Sequence, residues 1–102
     1  MIEITSSNFN SVSDSISTVV LDFYADWCQP CKTMTPVLES LQINRPDIVV
    51  GSVDVDKQHL LVEKFAISSL PTVLICKNGK VDKKMVGISS LNDLEEAVGL
   101  NV

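Results

Sequence analysis

Two cysteines stand close enough along the chain to act as a redox pair. Cys28 and Cys31 are separated by Gln29 and Pro30, and they lie between an apolar segment that predicts a strand and the start of a predicted helix. The free N–H groups and the dipole of a helix N-terminus stabilise a thiolate at the first cysteine. A proline in the first turn costs no helix hydrogen bond, so Pro30 supports this geometry. The spacing also lets the sulfurs close a small disulfide, which indicates thiol–disulfide chemistry.

A zinc site is the main alternative for a cysteine pair of this spacing, and pairs with a purely structural role also exist. Zinc requires four ligands, and the rest of the chain offers only Cys76 and His59. Cys76 lies in an apolar segment and is interpreted as a small core residue, whereas His59 is interpreted as a solvated helix residue. We therefore favour redox chemistry and expect no metal.

A carboxylate interrupts the apolar segment that precedes the cysteines. Asp22 lies in the middle of Val-Val-Leu-Asp-Phe-Tyr, where burial raises the pKa of a carboxyl group. The alternative is a carboxylate at an exposed sheet edge, or one that local hydrogen bonds satisfy. Because Asp22 precedes Cys28 by six residues on the strand that leads into the pair, we interpret it as a proton acceptor for Cys31.

Two further residues are candidates for the site: one adjoins the cysteine pair, and the other begins a predicted strand. Trp27, the only tryptophan, adjoins Cys28 and is interpreted as an apolar wall that shields the sulfur and offers substrates a flat contact. Pro71 follows Leu70 at the start of a predicted strand, a position where a sheet tolerates proline.

The spacing of apolar residues predicts strands and helices that alternate and pack in layers. The alternation predicts a parallel section of sheet with right-handed crossovers, and the turn Asn78-Gly79 predicts an antiparallel hairpin after it. Gly51 and Ser52 are expected to interrupt the third strand, and Pro36 to kink the second helix. The predicted strands are 2–4, 18–24, 48–55, 72–76 and 81–86; the predicted helices run from 9 to about 17, from about 31 to before 46, from 58 to 65, and over 91–98.

Length and composition restrict the classes of protein that need to be considered. The chain has 102 residues, of which 45% are hydrophobic and 21% charged, as expected for one globular domain over residues 1–102. A net charge of −5 has the wrong sign for binding nucleic acid. We expect no membrane span and no signal peptide, because no apolar run is long enough. Three cysteines, with only one close pair, favour a reducing, cytoplasmic location.

Several motifs in order resemble the thioredoxin family over nearly the whole chain. They are VLDFYADWCQPCK at 20–32, Pro36, ISSLPT at 67–72, KNG at 77–79 and Val86-Gly87. The resemblance implies an α/β protein with the thioredoxin fold, in which four helices flank a central mixed sheet of five strands. It also implies a cis peptide bond before Pro71 that faces the cysteine pair.

The resemblance further implies a role for each site residue. Cys28 would be the attacking nucleophile, Cys31 the resolving thiol, and Asp22 the buried carboxylate. The substrate-binding residues would form a shallow apolar groove with the dipeptide between the cysteines at its edge: Trp27, Gln29, Pro30, Ser69, Leu70, Pro71, Val86 and Gly87.

The implied activity is reduction of protein disulfides by a monomer that carries electrons in its Cys28–Cys31 disulfide and binds no cofactor. NADPH would act indirectly, through a partner flavoprotein similar to thioredoxin reductase, and the clients would be disulfide-containing proteins. Neither nucleic acid nor a membrane is an expected partner.

The chain departs from the family pattern at two positions. Gln29 stands where the family usually has glycine, in the dipeptide that tunes redox potential. Ser52 stands where the family commonly has lysine, and without that charge Asp22 is harder to ionise. The alternatives are a more oxidising exchanger, an isomerase or a reductant for one client. A protein of another class, an interaction module or processivity subunit with this fold, is a further alternative.

Overall fold

The structure, a computed structural model, describes residues 1–99 of the chain. Within that range, five strands and four helices follow one another, which confirms the predicted α/β fold. No helix in the range is both long enough and apolar enough to cross a membrane. The elements are β1 Ile2–Glu3, α1 Phe9–Ser15, β2 Thr18–Tyr24, α2 Gln29–Asn44, β3 Val49–Asp54, α3 His59–Lys64, β4 Thr72–Lys77, β5 Lys80–Val86 and α4 Leu91–Val98.

The strands form one mixed sheet in the order β1-β3-β2-β4-β5. Strand β3 pairs in parallel with β1 and β2, whereas β4 pairs antiparallel with β2 and β5. Asn78 and Gly79 connect β4 to β5 with φ angles of 53° and 79°, as the predicted two-residue hairpin turn requires. Strand β2 therefore lies at the centre, and in its registers Asp22 is opposite Ser52 on β3 and Val73 on β4.

Helices cover both faces of this sheet. Successive side chains of a strand point to opposite faces, so Asp22 faces the same side as Val20. That side is the α2 and α4 side, where the buried cluster includes Val20, Met34, Leu38, Val50 and Leu94. The opposite face packs against α1 and α3, with Phe9, Leu21, Phe23 and Leu61 in its buried cluster. The fold thus directs the Asp22 carboxyl toward the helix that begins at the cysteine pair.

The predicted interruption of the third strand is wrong, because β3 runs through Gly51 and Ser52 without a break. Gly51 pairs with Ile2 of β1 and Leu21 of β2. A Cβ atom at Gly51 would collide with the buried side chain of Ile4, which is 0% exposed. The glycine is therefore required by the close approach of β1 rather than by a turn.

Replacing Gly51 by alanine should destabilise the protein by about 1 to 3 kcal/mol, the usual cost of overpacking a core. The added methyl group has to displace Ile4, which the sheet and α1 hold in place. Urea unfolding measures the cost of Gly51→Ala in the unmodified protein and in an Ile4→Ala background. Alanine lacks the Cγ1 atom of Ile4 that the added methyl group meets first, so Gly51→Ala should cost less in that background, and an unchanged midpoint for the single variant would contradict the collision.

Candidate active site

Cys28 and Cys31 form a disulfide at the start of α2. Cys28 is the N-cap residue of the helix, and its Sγ accepts a hydrogen bond from the backbone N–H of Cys31 at 3.3 Å. Pro30 lies in the first turn, as predicted, where its missing N–H costs nothing. This N–H donor and the helix dipole both favour negative charge on Cys28 Sγ, so the first sulfur is the better thiolate.

The two cysteines differ little in exposure, and both are buried. Cys28 is 5% exposed and Cys31 is 2% exposed. Both pack with Ala25, and partly buried Val55 and Leu70 lie against the same cluster. A partner disulfide therefore has to approach along the surface that surrounds Cys28.

Trp27 supplies the largest apolar surface beside the pair. Its side chain is 71% exposed, and its indole N–H donates a hydrogen bond to Asp56 Oδ2 at 2.9 Å. This hydrogen bond restricts the rotamers of the Trp27 indole ring, although the ring is at the surface. Asp56 lies in the turn after β3 and was not among the residues singled out in the sequence.

The loop before β4 forms the opposite side of the site. The Leu70–Pro71 peptide bond is cis, as the family resemblance implied. The Gly87 N–H donates a hydrogen bond to the Pro71 carbonyl at 2.9 Å, and Gly87 has a φ of +90°, which disfavours any side chain. Val86 is 61% exposed beside it. The structure thus joins the Leu70-Pro71 and Val86-Gly87 segments, which are distant in sequence.

The remaining predicted groove residues are at the surface: Gln29 and Pro30 in the first turn of α2, and Ser69 before Leu70. A cavity of about 250 Å³ opens between Trp27 and Leu70. Its other lining residues, apart from the predicted Ser69, were not predicted as site residues: Val55, Val62, Ile67 and Ser68. The three apolar residues among them have the same sequence pattern as core residues.

Asp22 is buried, with 1% of its surface exposed, and among the described residues its Oδ1 has no hydrogen-bond partner. The alternative of an exposed or locally hydrogen-bonded carboxylate is therefore wrong. Burial raises the pKa of Asp22 from 3.8 to about 7. Ser52 is opposite Asp22 in the β2–β3 register, so the strand neighbour brings no positive charge.

The two residues considered as extra zinc ligands lie on other elements of the fold than the cysteine pair. Cys76 is buried on β4, and burial raises the pKa of its thiol to about 11. His59 is exposed on α3, with Nε2 2.9 Å from the Asp56 carbonyl oxygen. In residues 1–99, no three His, Cys, Asp or Glu side chains are grouped so that they could hold a metal ion.

A dithiol that closes to a disulfide at a helix start, on a sheet of this order, is the centre of a thiol–disulfide oxidoreductase. Comparison with known proteins gives the family: a sequence model described as Thioredoxin matches residues 1–99. The chain belongs to the thioredoxin family, and the resemblance seen in its motifs is confirmed.

The relatives match over most of their length. A thioredoxin of Chlamydia caviae is 38% identical over 91 residues, which cover 89% of this chain and 88% of the relative. Thioredoxin-1 of Saccharomyces cerevisiae is 36% identical over 97 residues, which cover 95% of this chain and 93% of the relative. The solved structure of Plasmodium falciparum thioredoxin has a TM-score of 0.88 at 30% identity and covers 96% of each chain.

Proposed function

We propose that this thioredoxin-family protein is a general reductant of protein disulfides in which Cys28 is the nucleophile. The Cys28 thiolate attacks one sulfur of a client disulfide, and the other client sulfur leaves as a thiolate. Cys31 then loses its proton and attacks Cys28 Sγ, so that the Cys28–Cys31 disulfide forms and the second client sulfur leaves as a thiolate. The two client thiolates take up protons to give the dithiol. The observation that supports this order is the Cys31 N–H hydrogen bond, which is donated to Cys28 Sγ.

The client segment is proposed to lie in the groove between Trp27 and the Pro71 loop. Trp27 precedes Cys28, Val86 is opposite Thr72 in the β4–β5 register, next to Pro71, and both residues expose apolar surface. Ser69, Leu70 and Gly87 complete the groove, and Gln29 and Pro30 lie at its edge on the first turn of α2. Little of this surface is charged, which suits a reductant that accepts many clients.

Asp22 is proposed to accept the proton of Cys31. Its raised pKa, about 7, keeps both the acid and the carboxylate populated near neutral pH. A carboxyl group with a pKa near neutral pH can take up a proton when the Cys28–Cys31 disulfide forms and return it when the disulfide is reduced.

The electron source proposed for this protein is NADPH, through a flavoprotein of the thioredoxin reductase type. The chain would act as a monomer formed by one domain over residues 1–102, without a bound cofactor, nucleic acid or membrane. A cytoplasmic location is proposed from the cysteine content. One reducible pair together with a buried, unpaired Cys76 suits a reducing compartment.

A redox titration tests whether the protein is a reductant. The midpoint of the Cys28–Cys31 couple, followed by Trp27 fluorescence in dithiothreitol buffers, should be near the −270 mV or so of thioredoxin. Gln29 is exposed and, within residues 1–99, its side chain makes no hydrogen bond, so it should not perturb the Cys28 thiolate.

Gln29→Gly is the matched control, and its midpoint should lie within about 30 mV of the unmodified protein. A midpoint near −200 mV or so would contradict the reductase assignment and favour an exchanger or isomerase.

A further inference from the structure

Two small cavities lie along α2, one beside each partner of the proposed proton transfer. One, of about 160 Å³, includes Cys31 in its lining, and the other, of about 200 Å³, includes Asp22. Cys31 does not line the Asp22 cavity, and Asp22 does not line the Cys31 cavity. The two residues common to both linings are Tyr24 and Thr35.

Thr35 is the better placed of these two to move a proton. It follows Cys31 by four residues on α2, which puts the two side chains on one helix face with about 5 to 6 Å between their Cβ atoms. Its hydroxyl donates to the Cys31 carbonyl at 3.4 Å, a long bond that rotation about the side chain can exchange for another acceptor. The Tyr24 hydroxyl, in contrast, stands at the far end of a long, rigid ring.

We propose that the Thr35 hydroxyl relays the proton from the Cys31 thiol to the Asp22 carboxylate. This inference rests on the proposed role of Asp22 and adds a residue to it. Asp22 Oδ1 accepts no hydrogen bond from Cys31 or from any other described residue, and Thr35 lines both the Cys31 cavity and the Asp22 cavity, so its hydroxyl can connect the two groups.

The step balances without an external reactant. In the mixed disulfide, the Cys31 S–H bond breaks and its proton passes to Thr35 Oγ1, while the hydroxyl proton passes from Oγ1 to Asp22. The sulfur electron pair then forms the bond to Cys28 Sγ, and the bond from Cys28 to the client sulfur breaks. Thr35 ends with one proton, Asp22 is protonated, and the client sulfur leaves as a thiolate.

Other charged and titratable groups surround the same cavities. Tyr24 lines both cavities, Asp26 and Lys32 line only the Cys31 cavity, and Ser52 adds a second hydroxyl to the Asp22 cavity. None of these groups is altered by a change at Thr35, so a comparison of Thr35 variants separates the relay from the general electrostatics of the site.

The experiment uses the reduced protein and an aromatic disulfide that releases two coloured nitrothiobenzoate ions. The first ion is released when Cys28 attacks, and the second when Cys31 resolves the mixed disulfide. Because nitrothiobenzoate leaves as a stable thiolate, the second phase reports activation of Cys31 alone. Stopped-flow traces are recorded across the neutral pH range for Thr35→Val and for Thr35→Ser.

Thr35→Val keeps the shape of the side chain and should slow the second phase roughly tenfold at neutral pH, with the first phase unchanged. Thr35→Ser restores the hydroxyl and should recover most of the rate. In the valine variant, the rate of the second phase should no longer rise as Asp22 ionises. At high pH, where hydroxide can remove the Cys31 proton, the second-phase rates of the variants should become equal. A merely structural role would not produce this pH pattern or the rescue by serine.

Two results overturn the relay in different ways. If Asp22→Asn slows the second phase but Thr35→Val does not, Asp22 acts without Thr35, and slowing by Tyr24→Phe would assign the relay to Tyr24. If Asp22→Asn leaves the second phase unchanged, the proposed proton acceptor fails and the relay fails with it. Circular dichroism of each oxidised variant establishes that it is folded.

Discussion

Replacement of Cys28 by serine is expected to abolish reduction of a protein disulfide such as that of insulin, with a loss of about a thousandfold or more. A serine hydroxyl is not ionised near neutral pH and cannot attack sulfur at a useful rate. The environment that favours charge on Cys28 Sγ, the α2 N-terminus and the Cys31 N–H, cannot compensate for that difference. Turnover is measured with dithiothreitol as the electron source.

Cys31→Ser should fail at a different step. Attack by Cys28 remains possible, but no thiol resolves the product, so the variant should accumulate as a mixed disulfide with its client. Mass spectrometry under non-reducing conditions detects this adduct. Residual turnover by Cys28→Ser, or no adduct with Cys31→Ser, would contradict the assigned order of attack.

Cys76→Ser is the control for both variants. Cys76 is 2% exposed on β4, and burial raises the pKa of its thiol to about 11, so it supplies little thiolate near neutral pH. Cys76→Ser should therefore turn over at the unmodified rate. A loss of activity in this control would show that the third cysteine takes part in the exchange.

The central strand shows how far a hydrophobic pattern can predict a fold. Strand β2 spans Thr18–Tyr24, as predicted, because its apolar side chains are buried on both faces of the sheet. Helix α1 ends at Ser15, before the predicted end near residue 17, and the Ser17 carbonyl instead accepts a hydrogen bond from the Asn78 N–H at 2.7 Å. That contact joins segments far apart in sequence, so no local pattern indicates it.

Gly51 shows why a local rule fails at one point. Small residues in a strand indicate a bulge or a close approach of another segment, and the sequence does not distinguish the two. Only the pairing of β1 beside β3, which brings Ile4 against Gly51, decides in favour of a close approach.

Residue types and spacing alone predict the site only where its residues are local, and the distant Pro71 and Val86-Gly87 segments were predicted through the resemblance to the thioredoxin family. The cysteine pair, Trp27 and the start of α2 follow one another along the chain, and Asp22 is conspicuous as a charge within an apolar strand. The Trp27–Asp56 hydrogen bond crosses 29 residues, and the cavity that includes Val62 depends on where α3 docks. Neither leaves a signal in spacing or composition.

Asp22→Asn should raise the free energy of unfolding above neutral pH and slow the resolution of the mixed disulfide. In the folded protein the pKa of Asp22 is about 7, against 3.8 as the ordinary value. Between these values the folded state binds a proton that the unfolded state has lost, so stability falls as the pH rises from about 4 to above 7. At about 1.4 kcal/mol per pKa unit, the buried carboxylate costs roughly 4 kcal/mol above pH 7.

The asparagine variant has no such charge, so its oxidised form should be more stable by a few kcal/mol at about pH 8 and nearly unchanged at about pH 4. The gain should be smaller than the full cost of the charge, because the buried amide also lacks partners. Urea unfolding of the oxidised protein at several pH values measures this, since Cys28 and Cys31 then do not titrate and the free thiol of Cys76 is common to both proteins. An unchanged slope of stability against pH would show that another group carries it.

Loss of the proton acceptor should at the same time slow resolution of the mixed disulfide by about a hundredfold, while attack by Cys28 keeps its rate. Ser52→Lys separates the two effects, because an ammonium group opposite Asp22 lowers the pKa of the carboxyl group and keeps it as an acceptor. This variant should flatten the pH dependence of stability and still resolve mixed disulfides. Equal slowing of attack and resolution in Asp22→Asn would contradict a proton acceptor and indicate a distorted site, because only the second step requires Cys31 to lose its proton.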